Sequence, residues 1–149
     1  MARGSHTLTI DDLLCFSLYS AGHAFTRLYK PMLDPLGLTY PQFLVMIALW
    51  EKDGRTVSEI GERLLLESST LTPLLKRLET AGLIKRTRDR DDERVVRITL
   101  TKQGAALRDK AAAIPEQIGC ATNLTLNDVK KLAGEVTALR KKLQAALAA

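Results

Sequence analysis

Histidine and cysteine are scarce, with two of each in 149 residues. Cys15 and Cys120 are too few for a disulfide framework. With His6 and His23 as the only imidazoles and no Cys-x-x-Cys spacing, neither a metal nor any other cofactor is expected. Aromatic residues are thin too, at 5%. No apolar run approaches the about 18 residues that cross a bilayer, and no basic segment followed by an apolar one opens the chain. The expectation is a protein without a membrane span or an export signal, working in the cytoplasm. The opening Met1–His6 is given no weight.

What the chain has in quantity is leucine, 26 residues, and alanine, 17. These are helix formers, so a mainly α fold is expected and an all-β sandwich is not. Hydrophobic residues at 46% and charged ones at 26% are ordinary for a globular protein. The length suits one domain, 1–149, with a core that needs no covalent staples. The formal net charge is +5, and it is concentrated. Lys76–Arg97 holds eight basic residues against five acidic ones, a net +3, which favours an anionic partner over an evenly solvated surface.

Along the chain, Thr9-Ile10-Asp11-Asp12 predicts a capped helix start. Leu14, Leu18, Ala21, Phe25 and Leu28 recur at helical spacing until Pro31 and Pro35-Leu36-Gly37, which should break the run. Thr39-Tyr40-Pro41 opens a second helix whose apolar face is read as Phe43, Leu44, Ile47 and Trp50. Thr56-Val57-Ser58-Glu59 is a capping box for a short third helix to about Leu65. Ser68-Ser69-Thr70 supplies a cap for a fourth, with Leu71, Leu74, Leu75 and Leu78 inward and Gly82 at its end. The period then changes. Leu83–Arg88 and Val95–Leu100 flank a polar stretch and predict a two-stranded hairpin with a charged tip. From Thr101 a long helix should run toward Cys120 with a kink at Pro115. Thr125 and Asp128 cap a last helix with Val129, Leu132, Val136, Leu139, Leu143 and Leu147 in one stripe. The first and last helices carry apolar stripes far from the middle of the chain, so they are expected to pack on a second copy.

Two short helices followed by a basic hairpin describe a winged helix-turn-helix. The second helix of such a pair lies in the major groove of double-stranded DNA with its N-terminal residues at base edges. Here those are Ser68, Ser69, Thr70, Thr72 and Pro73, small enough to approach closely. Lys76 and Arg77 suit phosphate contact. Arg86 and Arg88 add positive charge along the first strand, and Arg94, beside Asp92 near the tip, suits a narrow minor groove. The plainer alternative makes Ser68–Thr70 a helix cap and the hairpin a solvated edge.

Leu65–Leu78 (LLESSTLTPLLKRL), Gly82-Leu83-Ile84-Lys85-Arg86 and Asp91–Thr101 resemble the MarR family of dimeric transcription regulators. Asp92–Arg94 and the closing Leu100-Thr101 match its wing. The resemblance runs from about Leu8 to Leu147. It implies a DNA-binding part at 39–101, dimerisation helices at 9–38 and 102–148, and a pseudo-palindromic operator with half-sites ~10 bp apart.

Leu14-Cys15-Phe16-Ser17-Leu18-Tyr19, Tyr29-Lys30-Pro31 and Leu38-Thr39-Tyr40-Pro41-Gln42 are similar to the organic hydroperoxide sensors of that family. This resemblance implies that Cys15 is the reacting thiol. Tyr29 and Tyr40, with Tyr19 as a third candidate, would hydrogen-bond its sulfur across the dimer interface. Cys120 would be the partner of an inter-subunit disulfide. The residues alone are less favourable. Asp11 and Asp12, at i−4 and i−3 from Cys15 in a continuous helix, oppose a thiolate, and an isolated cysteine on an apolar face is most often core.

The joint expectation is a homodimeric repressor, not an enzyme, that leaves its operator when an organic hydroperoxide oxidises Cys15. One alternative is a regulator of the same family gated by a small aromatic or phenolic ligand. The other is a thiol peroxidase.

Overall fold

The start of the chain illustrates how local chemistry decides the elements. Thr9 does not cap a helix; its hydroxyl donates to the Asp12 carboxylate at 2.6 Å. The backbone there makes a single 3-10 turn, Ile10–Asp12, closed by the Asp12 N–H to the Thr9 carbonyl at 3.3 Å, and Leu13 is extended before α1 begins, Leu14–Leu33. Cys15 is therefore the second residue of α1, and Asp11 and Asp12 precede the helix instead of lying one turn back within it. The computed structural model describes residues 8–149, so the Met1–His6 stretch lies outside the described residues.

Pro31 does not end α1. It lies within the last turn, where its missing N–H removes only one ladder bond, and the helix continues to Leu33. A 3-10 turn, Asp34–Leu36, follows. Then Thr39 caps α2, Tyr40–Glu51, in a capping box: the Thr39 N–H donates to Gln42 at 2.9 Å and the Gln42 N–H returns to the Thr39 hydroxyl at 3.4 Å. The stripe expected on α2 is only partly the buried one. Phe43 is buried, but Leu44, Ile47 and Trp50 are half-buried, while Val45, Met46 and Leu49 are fully enclosed. The reason is position: α1, the next two helices, the second strand of the hairpin and the helix that follows it all touch α2. A helix with neighbours around most of its circumference is apolar nearly all round, which blurs the stripe, and only its Leu44 and Ile47 side stays half-exposed.

The box at Thr56 and Glu59 starts α3, Val57–Leu64, as its sequence predicts. The turn that follows is tight. Leu65 adopts a left-handed conformation, φ 58°, and the Leu66 N–H donates to the Gly61 carbonyl at 2.9 Å. A Cβ on Gly61 would lie 2.9 Å from the Leu66 carbonyl oxygen, so only glycine lets the chain fold back there. α4 spans Ser68–Thr80 and buries Leu71, Leu74, Leu75 and Leu78. Its cap residue is Glu67, which uses no side-chain bond. The hydroxyls of Ser68, Ser69 and Thr70 thus sit in the first turn instead of before it, a correction to the cap read from the sequence.

β1, Ile84–Arg88, pairs antiparallel with β2, Val96–Leu100, with Ile84 opposite Leu100 and Arg86 opposite Ile98. The far edge of β2 is also held: the Ile98 N–H donates to the Arg55 carbonyl at 2.9 Å, and Thr56 bridges Arg97. α5, Lys102–Ala111, then crosses the end of the hairpin. The Thr101 hydroxyl donates to the Gly82 carbonyl at 2.6 Å and accepts the Gly104 N–H at 3.0 Å. The indole N–H of Trp50 donates to the Gly104 carbonyl at 3.0 Å. Val45, Met46, Leu49, Ile60, Leu71 and Ile98, all fully enclosed, form the centre of this first unit, which ends at Ala111. The expected mainly α fold with a small hairpin is what the chain adopts.

A second compact unit runs from Ala112 to Ala149. Pro115 does not kink a long helix; it is an opening residue of α6, Ile114–Thr122, where a missing N–H is harmless. Asn123, φ 55°, ends α6, and a Thr125/Asp128 capping box starts α7, Leu126–Ala148. Leu126, Val129, Leu132, Val136, Leu143 and Leu147 on α7 are exposed, as are Leu14, Phe16, Tyr19 and Phe25 on α1. No single described helix is long and apolar enough to cross a membrane.

Gly104 supplies a direct test of this packing. A Cβ there would overlap the Leu83 carbonyl, so Gly104→Ala must push α5 off the hairpin. The expected loss is about 1–3 kcal/mol, several degrees in Tm, read by thermal unfolding. A melting temperature equal to that of the unmodified chain would show that α5 rides free of Leu83.

Candidate functional site

The first turn of α4 is where a hydroxyl-rich surface meets the hairpin. Because Glu67 caps the helix through its backbone, the exposed Ser68, Ser69 and Thr70 are not committed to capping. Pro73, also exposed, lacks the N–H that would bond the Ser69 carbonyl, which leaves that carbonyl as a further acceptor on the same turn. Ser68 and Thr72 line one wall of a groove of about 460 Å³; Arg86, Arg94 and Val95 of the hairpin line the other. Thr56, Val57 and Ser58, at the start of α3, close its end. The sequence does not mark those three for the groove, because the Thr56 box is fully accounted for as a helix start. Lys76 and Arg77 lie further along α4, exposed.

The hairpin cations are individually oriented. Arg94 forks onto Asp92, Nε to Oδ1 at 3.1 Å and Nη2 to Oδ2 at 3.4 Å, while its side chain stays 91% exposed. The Arg94 backbone N–H donates to the same carboxylate at 3.1 Å, so Asp92 fixes both ends of the residue. Arg88 donates to the Glu93 carbonyl at 3.1 Å, across the tip. Arg86 is held by Glu79 of α4. Arg97, not singled out by the sequence, donates to the Gly54 carbonyl at 2.6 Å and to Asp89 at 3.0 Å. The Asp89 carboxyl is held below the ordinary range, first by the Asp91 backbone N–H and then by the Arg97 guanidinium. Glu79 is lowered as well, chiefly by the Arg86 backbone N–H.

The thiols occupy separate elements. Cys15 is exposed in the first turn of α1, and Cys120 is exposed on α6; both are free. Tyr29 and Tyr40 pair, with ring centroids 5.0 Å apart, and Tyr29 also meets Phe43 at 6.0 Å. Burial raises the pKa of both phenols, and for Tyr29 the neighbouring Tyr40 adds to it. Both therefore stay O–H donors at neutral pH. Tyr19 stands apart, exposed and edge-on to His23 at 4.4 Å. Cys15 and Tyr29 are on the same helix, and at 1.5 Å per residue their separation along its axis is ~21 Å. Within one chain the tyrosine pair is out of reach of the thiol.

These features can be set beside known proteins. Residues 27–111 match the family model for the transcriptional regulator SarA/Rot. The chain is 47% identical to the HTH-type transcriptional regulator TtmR of Methylorubrum extorquens, over 92% of this chain and 70% of that one. It is 44% identical to the organic hydroperoxide resistance transcriptional regulator of Bacillus subtilis, over 91% of this chain and 92% of that one. Among solved structures, reduced AbfR bound to DNA, a Staphylococcus epidermidis protein, superposes with a TM-score of 0.75 at 37% identity, covering 87% of this chain and 91% of AbfR. The disulfide form of AbfR superposes less well, at 0.64 with 37% identity, covering 85% of this chain and 88% of AbfR.

The lowered carboxyls give the hairpin a pH dependence of definite sign. A folded-state pKa below the unfolded value contributes stability that is present above the unfolded pKa of about 4 and is lost as pH falls through the folded value. The urea midpoint should therefore drop on acidification from pH ~5 toward ~3. In Asp89→Asn the drop should be smaller, because that carboxylate no longer takes up a proton. An unchanged acid dependence would remove Asp89 from the anchoring of the hairpin.

Proposed function

The chain belongs to the MarR/SarA-type family of DNA-binding transcription regulators, and from that premise we propose that it is a homodimeric repressor switched off by organic hydroperoxides. Residues 39–101 form its DNA-binding part. Residues 9–38 and 102–148 pair two copies, covering the apolar side chains that α1 and α7 leave exposed. The operator is a pseudo-palindrome in double-stranded DNA, as two-fold symmetry requires, with half-sites ~10 bp apart. Ser68, Ser69, Thr70, Thr72 and Pro73 face base edges, Lys76 and Arg77 face phosphates, Arg86 and Arg88 add positive charge along the first strand of the hairpin, and Arg94, oriented by Asp92, enters the minor groove. The protein acts stoichiometrically, in the cytoplasm, and not as an enzyme.

The observation that carries the sensing role is the layout of α1. An exposed Cys15 stands at one end and a half-buried pair of phenols at the other, too far apart to meet within one chain. Two α1 helices packed antiparallel would set each thiol against the second copy's Tyr29 and Tyr40. In the reaction, the Cys15 sulfur attacks one peroxide oxygen and the O–O bond breaks. The alcohol leaves with a proton, and Cys15 becomes a sulfenic acid. The Cys120 thiol of the other copy then attacks that sulfur, water leaves, and an inter-subunit S–S bond forms. A disulfide requires Cα atoms within about 7 Å, so its formation moves helices of the two copies together and takes the reading heads off the half-sites. The 44% identity to an organic hydroperoxide resistance regulator supports the choice of oxidant.

Intact mass under denaturing, non-reducing conditions tests the chemistry, and a gel shift tests the consequence. After stoichiometric organic hydroperoxide the protein should be a covalent dimer of about twice 16.4 kDa and release DNA, and dithiothreitol should reverse both changes. Cys15→Ser should bind DNA normally and stay bound. Tyr29→Phe and Tyr40→Phe should respond more slowly. Cys120→Ser should release DNA at first, then overoxidise and lose reversibility. Release of Cys15→Ser at the same dose would instead favour a regulator gated by a phenolic ligand, and sustained peroxide consumption with a reductant would favour a thiol peroxidase.

A further inference from the structure

Glu79 sits in the last turn of α4, outside the hydroxyl-rich face, yet its carboxylate joins α4 to the hairpin. One oxygen accepts the Arg86 backbone N–H at 3.0 Å and the other accepts Arg86 Nε at 3.2 Å. The two bonds have different consequences. Arg86 lies opposite Ile98, whose own N–H points away from β1 to Arg55. The Arg86 N–H therefore also points outward, and Glu79 closes the free edge of β1 onto the end of α4. The second bond fixes the guanidinium that lines the groove together with Ser68, Thr72 and Arg94. An unpaired arginine in that place would attract any phosphate, whatever the sequence. Held against a carboxylate, it contributes far less of that indiscriminate attraction.

We propose that Glu79 is a positioning and selectivity residue, which sets the angle between the hairpin and the reading helix and restrains Arg86 from sequence-independent DNA binding. The proposal rests on the reading of α4 and the hairpin as the DNA-contacting face. It reverses the simplest expectation, in which removing an acid from a basic face merely improves binding.

The test uses the full chain and two duplexes. One is selected by the unmodified protein from a randomised pool, and the other is a scrambled duplex of equal composition. Affinities are measured by anisotropy from ~50 to ~200 mM salt. Glu79→Gln keeps an acceptor for the Arg86 N–H but frees the guanidinium. It should bind the scrambled duplex several-fold more tightly at low salt, an advantage that shrinks roughly 3.5-fold across the range as one more phosphate contact enters the slope. The ratio of selected to scrambled affinity should fall. Glu79→Gln combined with Arg86→Gln should return the salt slope to its original value. Glu79→Ala loses both bonds; hydroxyl-radical protection where the hairpin meets the duplex should weaken while protection by α4 persists, and Glu79→Gln should restore it. A Glu79→Gln protein with unchanged slope and unchanged selectivity overturns the proposal and leaves Glu79 a surface ion pair. An unmodified protein that binds neither duplex overturns the DNA-contact reading itself, and the proposal with it.

Discussion

At Gly104 the backbone of α5 passes so close to the Leu83 carbonyl that no side chain fits between them, and this approach sets the geometry of the rest of the first unit. The Trp50 indole reaches the same residue from α2, and Thr101 ties the entry of α5 to the end of α4 through the Gly82 carbonyl. Hydrogen bonds of this kind are each worth only about 1 kcal/mol net, but a buried donor left unpaired costs more than that. The arrangement therefore tolerates little adjustment. α2, the hairpin and α5 share one fixed junction, and most of α2 is enclosed because they converge there.

The same ties constrain how the proposed DNA-binding face would be switched. The hairpin is tied at several points: Arg86 to Glu79, Arg97 to Gly54 and Asp89, Ile98 to Arg55, and the Leu100 N–H to Asp53 at 2.9 Å. Exposed ion pairs contribute little singly, yet these reach α4 on one side and the α2–α3 turn on the other. A signal that loosened the hairpin alone would have to break bonds on both. Displacing the unit as a body breaks none of them, and interfaces between packed elements are where such displacements are absorbed. The proposed DNA-reading face is better suited to being moved than to being reshaped.

Much of this was legible in the sequence where cause and effect are local. The boxes at Thr56 and Thr125 involve partners three residues apart, and the structure forms both. The change of period at Leu83 gave the hairpin to within one residue, and Leu71, Leu74, Leu75 and Leu78 are buried as their spacing requires. What failed depended on distant neighbours or on competition between nearby groups. Thr9 found the Asp12 carboxylate before it found a backbone N–H. Glu67 took the cap position ahead of three hydroxyl residues. Pro115 opened a helix because a break already preceded it. The stripe on α2 could not be read, since a periodicity exists only when one face is wet. In the groove, Ser68, Thr72, Arg86 and Arg94 were found from residue type and order, but the start of α3 was not. Nothing local distinguishes a box that only caps a helix from one that also lines a groove.

The charge surplus on Lys76–Arg97 also changes meaning once its members are placed. As a sum it was a reason to expect an anionic partner. In the fold it divides into two populations. Arg86, Arg94 and Arg97 are each held by a carboxylate within 3.2 Å, and Arg88 rests on a backbone carbonyl. Lys76 and Arg77, exposed on α4, enter none of the ion pairs among the described residues. A held arginine has lost part of its long-range attraction and gained a direction, which suits recognition of one shape at one place. An unheld cation on a flexible stem keeps its attraction and lacks direction, which suits capture of a phosphate backbone at any sequence. Five acids among eight bases are then not a dilution of the basic surface. Three of them, Glu79, Asp92 and Asp89, hold Arg86, Arg94 and Arg97 and so set the held bases apart from the unheld ones.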